Sequence, residues 1–211
     1  MKRTTVTSGG PFGSTACRVP GDAEIRRLLK AQLSDQHRHQ PGTMLIEEFG
    51  LCRGQVRVDV AVVNGTLHGY EIKSDRDSLR RLAHQVEFYG QVLDRATLVV
   101  GPRHVDEAQR IAPVWWGVQS VLSDRSGITL KQTRSGRRNP SRVARSLVEL
   151  LWLDECIGML EARNAVRGFR GKPRRLVWDR LCQLYSLKEI ASAVRLHVKT
   201  REVNGVARPP G

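Results

Sequence analysis

Three side chains in the middle of this chain have the types and the spacing to do chemistry on a phosphodiester. Asp59 lies in the apolar run Arg57-Val-Asp-Val-Ala-Val-Val63, and Glu71-Ile72-Lys73 closes the following run Leu67-His-Gly-Tyr. Two carboxylates converging at strand ends can hold Mg²⁺, which takes oxygen ligands, keeps several of its waters and needs only one or two carboxylates from the protein. The main-chain carbonyl of Ile72 offers a third oxygen. A lysine beside such a site can polarise an attacking water or stabilise the charge that develops on a phosphorane. Metal-dependent phosphodiester cleavage is therefore the leading expectation. The competing reading is an ordinary hairpin with a charged, solvated face. It is weakened because the flanking Val/Ile-rich strands read as buried on both faces, and a charge in such a strand needs a reason.

The elements that must position these groups follow from periodicity. Val56, Val58, Val60 and Val62 recur every second residue, the period of a strand, and Asn64-Gly65 is a strong hairpin turn signal. On the return strand Glu71 and Lys73, two apart, share a face. Asp59 must reach that face too. A strict two-residue Asn-Gly loop would pair Asp59 with Tyr70 and send it to the wrong side. The site therefore requires a loop of odd length or a bulge, and a three-residue loop ending in a left-handed glycine is expected. After the hairpin, Asp77 or Ser78 can cap a helix carrying Leu79, Leu82, Ala83, Val86 and Leu93 at helical spacing. Gln85 and Tyr89 are one turn apart on that helix and can both face the hairpin, where an amide and a phenol can hydrogen-bond a water or a phosphate.

The order Asp59, Glu71-Ile72-Lys73, Gln85-Val-Glu-Phe-Tyr89 resembles the PD-(D/E)xK nuclease superfamily. The Gln-x-x-x-Tyr element resembles its RecB-like branch, and the wider string resembles a group of small, poorly characterised bacterial members. The resemblance covers residues 22–131. It implies an α/β fold: a restriction-endonuclease-like core, a mixed central sheet flanked by helices in αβββαβ order, followed here by a C-terminal helical extension. It implies Mg²⁺ or Mn²⁺ held by Asp59 and Glu71, with catalytic roles for Lys73, Gln85 and Tyr89. Val58 stands where many members have proline. Members often add a glutamate from the first helix. Glu24 fits that position by order, and Glu47 or Glu48, ending the first expected strand, are alternatives.

The remaining segments fit the same plan. Asp22 to Leu33 reads as a capped helix with Ile25, Leu28, Leu29 and Leu33 on one stripe. Met44-Leu-Ile46 reads as a short strand and Ala96-Thr-Leu-Val-Val100 as a buried one. His104 to Ile111 reads as a short helix. Val114 to Leu122 and Ile128 to Lys131 read as two more strands, with the adjacent Trp115 and Trp116 on opposite faces. Residues 1–21, rich in Gly, Thr and Ser, are expected to form a mobile tail and lack the apolar core of a secretory signal. Residues 133–140 read as a basic linker. Beyond it come three helical stretches: Ser141 to Arg163, Pro173 to Leu184, and Ser186 or Leu187 to His197.

Charge points to nucleic acid as partner. The formal net charge is +14 over 211 residues. Lys and Arg outnumber Asp and Glu 18 to 7 from residue 131 onward, but only 17 to 14 before it. Such an excess attracts phosphate backbones through counterion release. Its densest part is Arg167-Gly-Phe-Arg170-Gly-Lys172-Pro-Arg174-Arg175, whose glycines let the backbone approach closely and whose following helix start can receive a phosphate. This segment faintly resembles the SAP-type helix-extension-helix DNA-binding module, and a basic connector between packed helices is the equal alternative. DNA is the expected partner, with RNA open and a homodimer an option for double-strand cutting. Cys17, Cys52, Cys156 and Cys182 show no Cys-x-x-Cys pair, which argues against structural zinc and for reduced thiols in a cytoplasmic protein. No run reaches membrane-spanning length. Two function classes follow: a deoxyribonuclease of repair, recombination or defence, and a non-cleaving nucleic-acid-binding protein or subunit on the same fold.

Overall fold

The computed structural model describes residues 19–125 and 127–203. Most of the expected N-terminal tail, with Cys17, and the final eight residues lie outside the described part. A helix, α1 (Asp22–Gln36), leads into three antiparallel strands, β1 (Met44–Leu51), β2 (Val56–Val63) and β3 (Leu67–Lys73). A crossover through α2 (Leu82–Val92) returns the chain as β4 (Arg95–Val100), parallel to β3. A second crossover through α3 (Val105–Ile111) gives β5 (Gly117–Asp124), parallel to β4, and β6 (Gly127–Arg134) pairs antiparallel at the far edge. The six strands thus lie in chain order in one mixed, mostly antiparallel sheet. Among the described residues no helix is long and apolar enough to cross a membrane.

Helices cover both faces, as a sheet with two apolar sides requires. Ile25, Leu29 and Leu33 of α1 pack on Val60, Val62, Tyr70, Ile72 and Val99. The opposite face carries the larger cluster, built from α2, from Trp115 and Trp116, and from α4 (Ala144–Val148), α5 (Leu153–Ala162), α6 (Arg174–Leu184) and α7 (Leu187–Val203). The C-terminal helices therefore share one hydrophobic core with the sheet. The segment 133–140 is stitched to that core. Asn139 is buried, and its amide donates to the carbonyls of Gly90 (2.7 Å) and Leu93 (2.8 Å) at the end of α2. Gly136 crosses so close to β5 that a Cβ there would lie 2.9 Å from the Gly117 nitrogen.

Several local expectations are corrected. Asp22 does not cap α1. Gly21 occupies the cap position, and Asp22 sits in the first turn, where its carboxylate faces Arg26 one turn on. β1 runs eight residues rather than three, because its ladder to β2 carries the strand beyond the apolar pattern. Trp115 and Trp116 precede β5 instead of alternating within it. The Trp116 N–H closes a turn onto the Pro113 carbonyl (2.9 Å), and both indoles are buried, edge to face at 5.8 Å. The stretch 141–163 divides into α4 and α5 at Trp152, whose extended backbone starts a new helix with its N–H donated to the Glu155 carboxylate (2.8 Å).

Asn139→Ala removes the donor to the buried Leu93 carbonyl and to the half-buried Gly90 carbonyl, so it is expected to lower unfolding free energy by about 2–3 kcal/mol. Urea denaturation of the full chain checks this. A loss below about 0.5 kcal/mol would mean the segment is not anchored through this amide.

Candidate active site

The turn between β2 and β3 sets the register. Pairs run Val63↔Leu67, Val62↔His68, Ala61↔Gly69 and Val60↔Tyr70, leaving Asn64, Gly65 and Thr66 as a three-residue loop. The loop has odd length, as the site requires, but it does not end in a left-handed glycine. Gly65 is not among the positive-φ residues, and Thr66 holds the last position. Asn64 does the work instead: its side-chain oxygen accepts from the Thr66 N–H (2.9 Å) and hydroxyl (3.1 Å). An asparagine that closes a turn through its own side chain removes the need for a glycine there.

One step beyond Val60↔Tyr70 the ladder opens, and Asp59 stands opposite Glu71. The Asp59 carboxylate takes over the missing main-chain acceptor: Oδ2 receives the Ile72 N–H at 2.7 Å. A residue's N–H and C=O point to the same edge of a strand. The Ile72 carbonyl therefore also faces Asp59, away from β4. The neighbouring strand is distorted at the same level. Glu48, which would pair with Asp59, has φ 52 and is skipped by the ladder. The kink shifts the phase of burial, so Val56 and Val58 join the cluster under α2 while Val60 and Val62 face α1. The period-two valines of the sequence thus serve two faces, with Asp59 at the switch.

Glu71 is 2% exposed and is held from the β3 and α2 side. Lys73 Nζ donates to its Oε1, as does Gln85 Nε2 at 2.6 Å. The Tyr89 hydroxyl lies 2.5 Å from Oε2 and 2.7 Å from the Arg57 carbonyl, with one proton to donate between them. Stacking on Trp116, ring centres 5.7 Å apart, fixes the phenol. The structure thus brings Asp59, Glu71, Lys73, Gln85 and Tyr89 together. The Ser78 side chain, accepting from the Arg80 N–H (3.3 Å), starts the turn that enters α2. Asp77 instead receives the Ser74 N–H (2.7 Å).

Of the three candidate glutamates, Glu48 lines the cleft that holds Asp59, Glu71, Lys73 and Gln85. Glu24 is half-buried and does not line it, and Glu47 pairs with Lys30 of α1. Sequence reasoning missed Arg26. From α1 its guanidinium donates to Asp59 Oδ1 (2.9 Å), to the Asp59 carbonyl (3.1 Å) and to Glu48 Oε1 (2.6 Å). The only local signal was the Asp22/Arg26 spacing of four residues, which reads as a surface helix pair. Arg57, Arg81 and His84 complete the cleft wall.

The electrostatics follow from this crowding. Burial, and then the Glu71 charge, push the Asp59 carboxyl up to about 6, against the opposing pull of the Ile72 N–H, Arg26 and Lys73. Burial and Glu71 drive the Tyr89 phenol far above its ordinary range, so it stays a neutral donor. Among the described residues no three His, Cys, Asp or Glu side chains stand close enough together to form a metal cage. Cys52 and Cys156 are buried and Cys182 is half-buried, all as free thiols. Away from the cleft, Arg167, Arg170, Lys172, Arg174 and Arg175 are all exposed between α5 and the first turn of α6, with Gly168 and Gly171 at positive φ. Arg170 is paired with Glu161.

Residues 22–204 match the family described as Bacteriophage P4 protein cII, and the chain belongs to that family. The curated relative "Protein cII" of Enterobacteria phage P4 is 32% identical over 93 residues, which make up 44% of this chain and 35% of that protein. The alignment thus spans about a third of that relative's length. A solved structure, the SPO1766 protein of unknown function from Silicibacter pomeroyi, is 22% identical, covering 71% of this chain and 90% of that one. Its TM-score is 0.37.

The raised Asp59 pKa has a consequence for stability. The native state disfavours the ionised carboxylate, so stability is highest below the unfolded-state pKa of about 4 and falls as pH rises through about 6. Asp59→Asn removes that penalty. At pH 7.5 without divalent metal the variant is expected to be more stable than wild type by up to about 3 kcal/mol, the difference vanishing below pH 4. Denaturant melts at both pH values measure it, and a destabilised variant at pH 7.5 would contradict the assignment.

Proposed function

We propose that this chain is a divalent-cation-dependent nuclease of the PD-(D/E)xK type that hydrolyses DNA phosphodiester bonds. The observation that carries this reading is the convergence of Lys73, Gln85 and Tyr89 on the buried Glu71, with Asp59 opposite it across an opened ladder. The element order α1-β1-β2-β3-α2-β4 agrees with the restriction-endonuclease-like arrangement that the motif implies.

The residues fit a hard cation. Asp59, Glu71 and the Ile72 carbonyl present oxygen only, and Mg²⁺ or Mn²⁺ fills the rest of its shell with water and substrate phosphate. The Gln85 amide oxygen is buried with no partner among the described residues, an acceptor left for a water at this site. When bound, the cation would polarise the phosphodiester and make an attacking water more acidic. The chain's own groups supply the rest. Lys73 pairs with Glu71 at the cleft, where an oxygen that gains negative charge can be stabilised. Gln85 and Tyr89 fix the Glu71 rotamer, and the Gln85 oxygen can orient a water. Arg57 and Arg81 put positive charge on the cleft wall, where a phosphate backbone would run. The exposed basic segment 167–175 would hold flanking DNA, and repair, recombination or defence would be its setting.

One observation favours a second reading, a non-cleaving nucleic-acid-binding protein. Both oxygens of Asp59 and both of Glu71 already have protein partners. Cleavage of supercoiled, linear, single-stranded and branched DNA separates the two. Wild type is expected to cut with Mg²⁺ or Mn²⁺ and not in EDTA. Asp59→Ala and Lys73→Ala are each expected to lose about 100-fold or more of that activity. Tight binding of every DNA with no cutting would make the second reading the correct one.

A further inference from the structure

Arg26 sits where a cation belongs. Its guanidinium is shared among three carboxylates, Asp22, Glu48 and Asp59, and also takes the Asp59 carbonyl. It is mostly buried, with 18% of the side chain exposed, and so is the Asp59 side chain, also 18%. The other ligand of Asp59, the Ile72 N–H, is main chain and fixed in the sheet. Arg26 is thus the movable member. It has somewhere to go: Asp22, one helical turn before it and 44% exposed, already lies 3.3 Å from one terminal nitrogen and 3.4 Å from Nε. Glu48, the second acceptor, is held in a left-handed conformation within a strand, and such strain in a non-glycine residue is characteristic of functional positions.

We propose that Arg26 is a built-in counter-cation of the acidic site, which a divalent ion displaces from Asp59 and Glu48, so that Arg26 sets the threshold for metal loading. The proposal rests on the nuclease reading of that site. The physics is a competition for the same oxygens. With Arg26 in place, Asp59 Oδ1 and Glu48 Oε1 direct lone pairs to its N–H groups. A divalent ion offers twice the charge to the same carboxylates, at the cost of breaking two charge-assisted hydrogen bonds. Arg26 swings onto Asp22, and Glu48 becomes available beside Asp59. In the metal-free protein the arginine prevents two crowded carboxylates from repelling each other unopposed. Loading is expected to respond to the length and charge of residue 26, although that residue contributes no metal ligand.

The test is Mn²⁺ binding to the full chain without DNA at pH 8, where Asp59 is ionised, by titration calorimetry and by Mn²⁺-induced shift in melting temperature. Arg26→Gln is expected to bind Mn²⁺ about tenfold more tightly than wild type, because two charge-assisted bonds no longer compete. Arg26→Lys keeps the charge but cannot bridge three acceptors, and is expected to tighten binding about threefold. It decides the question if Arg26→Gln does not fold. Unchanged or weaker Mn²⁺ binding in the variants, with wild type still binding, overturns the counter-cation role and leaves the nuclease reading standing. Failure of wild type and variants alike to take up Mn²⁺ at millimolar concentration overturns both.

Discussion

The Glu71 carboxylate, almost wholly withdrawn from water on a central strand, is the interaction around which the rest of the molecule is arranged. A carboxylate so placed is costly unless its oxygens are matched by donors. The match comes from two directions. Lys73 lies two residues along the same strand, so the pleat alone brings it to Glu71. Gln85 and Tyr89 come from α2, so the crossover helix must lie over this end of the sheet at a set height and rotation. Tyr89 then bridges toward the Arg57 carbonyl, linking the helix to β2 two residues from Asp59.

That demand on α2 explains why residues 133–203 are built into the core. Asn139 holds the last turn of α2 through its carbonyls, the Val143 N–H and the Ser146 hydroxyl both reach Gln91, and the helices beyond pack beneath. Asp94, at the end of the same crossover, is buried with Arg142 and Arg195 and also receives the Leu67 N–H at the start of β3. One carboxylate thus ties the strand that carries Glu71 to the segment leading into α4 and to α7. The basic surface and the acidic cleft belong to one packed body, so their relative placement is built into the fold.

The opposite side of the site is governed by α1. Its apolar stripe places Arg26 against the level where β1 and β2 part, and there the arginine meets the charge that the opened ladder exposes. Two carboxylates held across neighbouring strands repel. Burial and then that repulsion raise the Asp59 pKa, and the Ile72 N–H, Arg26 and Lys73 only partly offset them. Perturbed carboxylates of this kind cluster at functional sites.

Much of this was legible in the sequence because it is local. The valine alternation and Asn64-Gly65 gave the hairpin. The need for Asp59 and Glu71 on one side required a loop of odd length, and the loop has three residues. The one-turn spacing of Gln85 and Tyr89 put both on one face of α2. What only the tertiary structure decided involves contacts between distant segments. Arg26 meets Asp59 across 33 residues, and no spacing rule reaches that far. Glu48 was one of three candidates until a kink shared by β1 and β2 turned it into the cleft. Trp115 and Trp116 looked like alternating strand residues until a turn at Pro113 buried both. Residues 133–140 read as linker because their polar, turn-forming types are common in loops, whereas their anchorage depends on carbonyls more than forty residues away. Periodicity records which face an element buries. Which elements then meet is set by side-chain packing and by the need to satisfy buried charge.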